Sequence, residues 1–233
     1  MNPAIKLGKW LFRHRSITPL PMIVVVLFCF PPRQYGDLQL WVSIGGVVLA
    51  WLGEVVRVLS VGFAHTGTSG RESYLRADAL NTTGAYSVVR NPLYIGNTLI
   101  HSGILVFWGN PWALGLMLLF LWLQYALIIL GEESFLRERY GETYEEYCRR
   151  VPRIIPRFRN VRGPGSFFQW RKVLLKENDS VFNMLAMFLV LKALRGHLLV
   201  NETADRAFLI VSAALLIALY AGIKVWKKAI SRK

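Results

Sequence analysis

Apolar residues fall into six blocks along this chain, at about 17–30, 38–63, 92–108, 112–130, 181–194 and 207–225, with polar stretches of very unequal length between them. A bilayer's hydrocarbon core is about 30 Å thick and takes about 20 apolar residues to cross. Backbone groups inside it must be satisfied within the segment, so each block predicts a membrane-spanning helix. The first block is short and opens on Pro19 and Pro21. The third begins at Pro92, where a proline is tolerated in the first helical turn, and Gly109-Asn110-Pro111 predicts a tight turn into the fourth. The pattern therefore predicts an all-α fold, a polytopic membrane helical bundle of about six transmembrane helices.

Charge orients the blocks. Basic residues gather before the first (Lys6, Lys9, Arg13, Arg15), between the fourth and fifth (from Arg137 through Arg162 to Lys176), and in the tail (Lys224 to Lys233). Six spans bring all three regions to one side. By the positive-inside rule that side is the cytoplasm, and both termini lie there. The net charge of +14 is explained by this bias, so nucleic acid is not an expected partner. With 54% hydrophobic residues the chain is more apolar than a soluble domain of its length. The basic start followed by an apolar run could mimic a signal peptide, but Phe30-Pro31-Pro32-Arg33 follows in place of a small-residue cleavage site. The run reads as a retained helix. Cys29 and Cys148 belong to different levels of the bilayer, which predicts two free thiols.

Two polar stretches, 65–91 and 131–180, then face the cytoplasm and hold most of the reactive side chains. The outer turns are too short to build a site. Arg90 stands just before the third block, where a guanidinium can hold an anion; Asn91 is a good cap for a helix starting at Pro92. Tyr94, Asn97 and His101 share a helix face, and Gly96 lets a ligand or a neighbouring helix approach. The ordinary alternative is a capped membrane helix anchored by an interfacial Arg and Tyr. Glu132 and Glu133 stand at the cytoplasmic end of the fourth block, where two adjacent carboxylates oppose both the helix dipole and each other. They call for a cationic partner or a ligand with donor groups, and an i,i+4 ion pair of Glu133 with Arg137 is the simplest answer. Tyr140, Tyr144 and Tyr147 form an aromatic stripe, read as a short surface helix or as packing. Glu54 and Arg57 lie within the second block, as a functional site or as a helix-internal pair. Four scattered histidines and the lack of a Cys-x-x-Cys motif predict no metal site.

These clusters, in this order, resemble the isoprenylcysteine carboxyl methyltransferase family, which sits with the phospholipid N-methyltransferases. The matching residues are Gly84 and Tyr86, then Arg90-Asn91-Pro92-Leu93-Tyr94-Ile95-Gly96, then Glu132-Glu133, then Tyr140-Gly141, Tyr144, Tyr147 and Val151-Pro152. The resemblance covers about 60–160. It implies a cytoplasmic pocket for S-adenosylmethionine and a lipid or lipidated acceptor entering from the bilayer. Carried over by motif, Gly84, Tyr86, Asn91, Pro92, Tyr94, Gly96, Asn97, Glu132 and Glu133 would line the cofactor site, with Arg90 and Glu133 as the catalytic pair. Asn91 stands where the family usually has a histidine. The implied organisation is two leading helices over 1–63, a methyltransferase core over 64–160, and a linker with two further helices over 161–233. A bacterial inner membrane is the expected location. The run Tyr147-Cys148-Arg149-Arg150-Val151-Pro152-Arg153-Ile154-Ile155-Pro156 also resembles the ending of sterol reductases, which makes an NADPH-dependent lipid reductase the alternative enzyme, and a membrane scaffold the alternative outside enzymes.

Overall fold

In a computed structural model the described residues are 2–65, 68, 77–163, 165, 167–199 and 206–230. Parts of both polar stretches, 66–67, 69–76, 164 and 166, lie outside them. The described residues are helical, with no strand: α1 (Pro3–His14), α2 (Pro19–Cys29), α3 (Gln39–Gly62), α4 (Ala85–Val88), α5 (Pro92–Trp108), α6 (Pro111–Tyr140), α7 (Glu142–Arg150), α8 (Trp170–Leu198) and α9 (Arg206–Ile230).

Each of the six apolar blocks forms a helix, but the lengths differ from the expected six spans. Helices α3, α6, α8 and α9 are long and apolar enough to cross a bilayer, and α1 with α2, bent by 78° at their junction, makes a fifth candidate. Helix α2 has 11 residues and α5 has 17. At 1.5 Å per residue α5 reaches only about 25 Å, short of a ~30 Å core. The polar ends of α6 and α8 run further than their apolar blocks. Helix α6 continues to Tyr140, and α8 begins at Trp170 instead of near 181. Lys172, Lys176 and Glu177 do not break α8: Lys172 donates to the backbone of Ala64 (2.7 Å), and Glu177 is paired with Arg57.

The helix pair α3–α5 is built on glycine. A Cβ on Gly53 would sit 2.5 Å from the Gly96 carbonyl oxygen, and one on Gly46 would sit 2.6 Å from that of Gly103. Small residues one heptad apart on both helices let the backbones touch, the packing mode that replaces the hydrophobic effect inside lipid. Helix α1 crosses α6 in the same way, at Gly8 and Gly131. Between these helices lies an apolar core that includes Val26, Trp108, Met117, Leu121, Ile128 and Leu191.

One pole of the bundle is sealed by local polar chemistry. Asn110 caps α6 by accepting from the amides of Trp112 (3.0 Å) and Ala113 (3.3 Å), while its own amide donates to Pro31 (2.7 Å). Gly109 turns with φ +83°, and Trp108 donates to Phe30 (2.7 Å). Arg195 is buried at this pole, donating to the Phe107 carbonyl with its guanidinium 5.1 Å from the Phe107 ring. Helices α4 and α7 and the loops form the opposite, polar pole. The aromatic stripe of α7 faces inward: Tyr144 and Tyr147 are buried, and Tyr147 donates to Tyr86 (2.7 Å). Packing, not a membrane-surface role, accounts for those tyrosines. Among the described residues helix α9 packs chiefly on α8 and leaves its apolar residues exposed, as a lipid-facing helix would.

Candidate functional site

The site begins where the chain enters α5. The link from α4 to α5, with Val89 extended, is clipped to the segment after α7: the Arg90 amide donates to Pro152 (2.9 Å), the Arg157 amide to Val88 (3.0 Å), and the Asn91 side chain to Arg153 (3.0 Å). Pro152 ends α7 and leaves its carbonyl free to take this bond. The clip brings residues distant in sequence to the end of α5, where Arg90, Arg153 and α6 meet.

Glu133 sits at that junction, 1% exposed. Its Oε1 meets Arg90 Nη2 at 2.9 Å and Arg153 Nε at 3.0 Å; its Oε2 accepts from Arg153 Nη2 at 2.6 Å. The expected i,i+4 partner, Arg137, is present at a longer 3.4 Å. Both oxygens are thus taken by arginines, so Glu133 orients Arg90 rather than offering a free acceptor to a ligand. The hydrogen bonds that Arg153 donates to Glu133 hold its guanidinium above its ordinary pKa. Arg90 also donates to Cys148 (3.1 Å), and its Nε meets no acceptor among the described residues. Glu132, the next residue along α6, points elsewhere, since consecutive helical residues diverge by about 100°. It accepts a 2.8 Å bond from the Tyr94 hydroxyl.

A second buried network spans three helices. Arg57 on α3 donates from Nε (2.9 Å) and Nη2 (2.7 Å) to Glu177 on α8, and from Nη1 to Asn97 on α5. Glu54 lies 4.0 Å from Arg57 and accepts from Ser180 on α8 (2.8 Å). The helix-internal pair is therefore the weakest contact, and the inter-helix pair with Glu177 dominates. Sequence reasoning missed Glu177. Its only signal was a charge just before an apolar block, which reads equally well as a solvated flank.

The two networks line one cavity of about 800 Å³. Its polar limb carries Tyr86, Arg90, Asn91, Pro92, Tyr94, Asn97, Glu132 and Glu133, all expected from the sequence, together with Arg57, His101 and Glu177. Its apolar limb runs toward the other pole between α2, α5, α6 and α8, past Ile23, Ile104, Met117 and Leu191. Gly84 and Gly96 do not line it. Gly84 takes the turn before α4 with φ +57° and donates to Arg162 (3.2 Å). Gly96 meets α3, where a Cβ would sit 2.6 Å from Arg57 Cγ. Their part is to shape the backbone around the site. Burial pushes up the phenol of Tyr86, with Glu132 adding to the effect, and likewise raises those of Tyr144 and Tyr147, so these groups stay neutral donors. Among the described residues no cluster of His, Cys, Asp and Glu could hold a metal ion.

Residues 41–143 match the family model described as phospholipid methyltransferase. Over 121 residues the chain is 31% identical to protein-S-isoprenylcysteine O-methyltransferase B of Arabidopsis thaliana, covering 50% of this chain and 60% of that one. It is 31% identical over 167 residues to protein-S-isoprenylcysteine O-methyltransferase of Xenopus laevis, covering 69% of this chain and 58% of the other. It is 29% identical over 139 residues to methanethiol S-methyltransferase 2 of Bradyrhizobium diazoefficiens, covering 54% and 50%. The chain thus spans about 60% of the length of the first curated relatives it matches. No solved structure matches.

Proposed function

From the match of residues 41–143 to the phospholipid methyltransferase family and the similarity to isoprenylcysteine methyltransferases, we propose that the protein is a member of that family and an integral membrane methyltransferase. It uses S-adenosylmethionine and acts on a lipid or lipidated acceptor. The observation that supports this best is the single cavity whose polar limb holds the Arg90–Glu133 and Tyr94–Glu132 pairs and whose other limb is apolar. Relatives named for isoprenylcysteine and for methanethiol leave the acceptor's reacting atom, oxygen, nitrogen or sulfur, open. Nothing among the relatives named above favours the NADPH-dependent reductase.

The residues present suit the cofactor. A volume near 800 Å³ lies within the range of about 300–1,000 Å³ usual for small-molecule sites. Arg90 Nε is a buried donor with no described acceptor, placed for a carboxylate, and Tyr86, Tyr94 and Glu132 offer neutral donors and a carboxylate for hydroxyl and amino groups. S-adenosylmethionine supplies an electrophilic methyl group on a sulfonium. The protein's part is positioning and exclusion of water. Glu133, clamped by three arginines, holds the Arg90 fork in one orientation, and Arg90 in turn holds an anionic group of cofactor or acceptor. Glu132 is the carboxylate able to take a proton from an acceptor that must lose one. The basic pole faces the cytoplasm, by the positive-inside rule, in a bacterial inner membrane.

Calorimetry with purified protein tests the reading. One S-adenosylmethionine should bind per chain, and methyl-labelled cofactor should label an extractable amphiphile. Binding of NADPH with no binding of S-adenosylmethionine would replace methyl transfer by reduction; binding of neither would leave a scaffold.

A further inference from the structure

A second cavity, of about 420 Å³, lies at the polar pole between α4 with the residues just before it, the end of α7, and the segment through Arg162. Tyr147 lines both cavities, and its hydroxyl is committed to Tyr86 (2.7 Å). The chemistry of the second differs from that of the first. Two guanidinium groups, of Arg150 and Arg162, reach it together with the hydroxyls of Thr82 and Ser87, and among the described residues no carboxylate lines it.

The fold places both arginines there. Arg150 follows Tyr147 by one turn and shares its face of α7, so the inward turn of the tyrosine carries the arginine to the recess. Glu146 stands at i,i+4 to Arg150 as an ordinary ion-pair partner, yet among the described residues no ion pair or hydrogen bond takes the guanidinium of Arg150 or of Arg162. Arg162 is fixed through its backbone: its carbonyl accepts from the Gly84 amide (3.2 Å) and its amide donates to Ser87 Oγ (3.0 Å). The floor is closed, with Ser87, Tyr147 and Val151 all buried. Two like charges held at one recess repel, and protein on one side replaces part of the water that would screen them. An oxyanion between them offsets that cost. Two planar forks and the Thr82 hydroxyl offer more donors than the two oxygens of a carboxylate can accept, whereas a phosphomonoester brings three oxygens and close to two charges.

We propose that this recess is a phosphomonoester-binding site, with the oxyanion bridged between Arg150 on α7 and Arg162 on the segment bonded to α4. The bound group braces α4 and α7, the helices that carry Tyr86 and Tyr147 to the first cavity. Its source is free phosphate or the head of an anionic lipid, for whose chains the exposed Val161 and Phe158 offer apolar surface. The site does not depend on methyl transfer.

The test is calorimetric titration of the purified full chain, in neutral-detergent micelles at constant ionic strength, with inorganic phosphate, dihexanoyl phosphatidic acid, dihexanoylglycerol and acetate. One phosphate should bind per chain and compete with phosphatidic acid, while acetate and dihexanoylglycerol bind at least about tenfold more weakly. Tighter binding of phosphatidic acid than of phosphate assigns the site to lipid heads; equal binding assigns it to free phosphate. Arg150→Ala and Arg162→Ala should each weaken phosphate about tenfold or more without moving the thermal midpoint measured in its absence. Arg159→Ala removes the same charge from the same segment outside the recess and should change phosphate affinity less than about twofold. No saturable binding of either phosphate probe, acetate matching phosphate, or an Arg159→Ala effect as large as that of Arg162→Ala would each overturn the proposal, the last by showing a diffuse basic field in place of a site.

Discussion

Replacing Glu133 by glutamine should loosen the polar pole and slow turnover together. The substitution keeps the side chain's shape, removes its charge, and turns one acceptor into an NH₂ group facing arginine donors. Its three partners do not weigh equally. The side chains of Arg137 and Arg153 are 42% and 43% exposed, so water replaces much of what they lose, and each contributes about 1 kcal/mol or less. The Arg90 side chain is 10% exposed against 2% for Glu133, and losing one partner of a buried pair costs about 3–5 kcal/mol at the upper end. The bond from Arg90 to Cys148 survives and lowers that figure. A net loss of about 2–4 kcal/mol follows. At about 2–4 °C per kcal/mol for a chain of this size, thermal unfolding in detergent should move down by several degrees. Methyl transfer should fall at least tenfold because Arg90 is no longer held in one orientation. Arg137→Ala, which removes only the long, exposed contact, is the control and should shift the midpoint little. A Glu133→Gln variant with wild-type midpoint and turnover would show that Arg90 is positioned by its backbone alone.

Arg90→Lys keeps the charge but loses the two-pronged geometry shared between Glu133 and Cys148, so turnover in the methyl-transfer assay should drop about tenfold; wild-type rates would reduce Arg90 to a helix anchor. Gly53→Val forces the α3 and α5 backbones apart, and thermal unfolding of the detergent-solubilised variant should show a loss of about 3 kcal/mol or more, or no folded protein at all; a silent variant would contradict the close crossing. In a background with Cys29 and Cys148 replaced by serine, Asp37→Cys should react with an impermeant maleimide from outside intact cells and Glu146→Cys only after permeabilisation; labelling of Glu146→Cys from outside would reverse the proposed orientation.

Some of this protein could be read from consecutive residues because the physics that determines it is local. Apolar blocks become helices because a run of apolar side chains, a proline at the first turn and an asparagine cap act within a few residues of one another, as at Asn110-Pro111; at Pro92 the proline starts α5 without the expected side-chain cap, because Asn91 turns to the Arg153 carbonyl instead. The paired glutamates and the Arg-Asn-Pro-x-Tyr-x-Gly run were legible because their chemistry and spacing survive as a motif. Block edges were less so: the apolar pattern stops at the first charge, whereas α8 carries Lys172 and Glu177 inward because partners on α3 and its following loop receive them. Which carboxylate would be clamped and which left open could not be deduced, since Glu132 and Glu133 are chemically identical neighbours. Only the rotation of α6 against α5 and the loop after α7 gives one to Tyr94 and the other to three arginines. The α8 wall was invisible for the same reason. Arg57 and Glu177 are 120 residues apart, and no local rule connects them; their meeting exists only once glycine-paired α3 and α5 leave a groove that α8 fills.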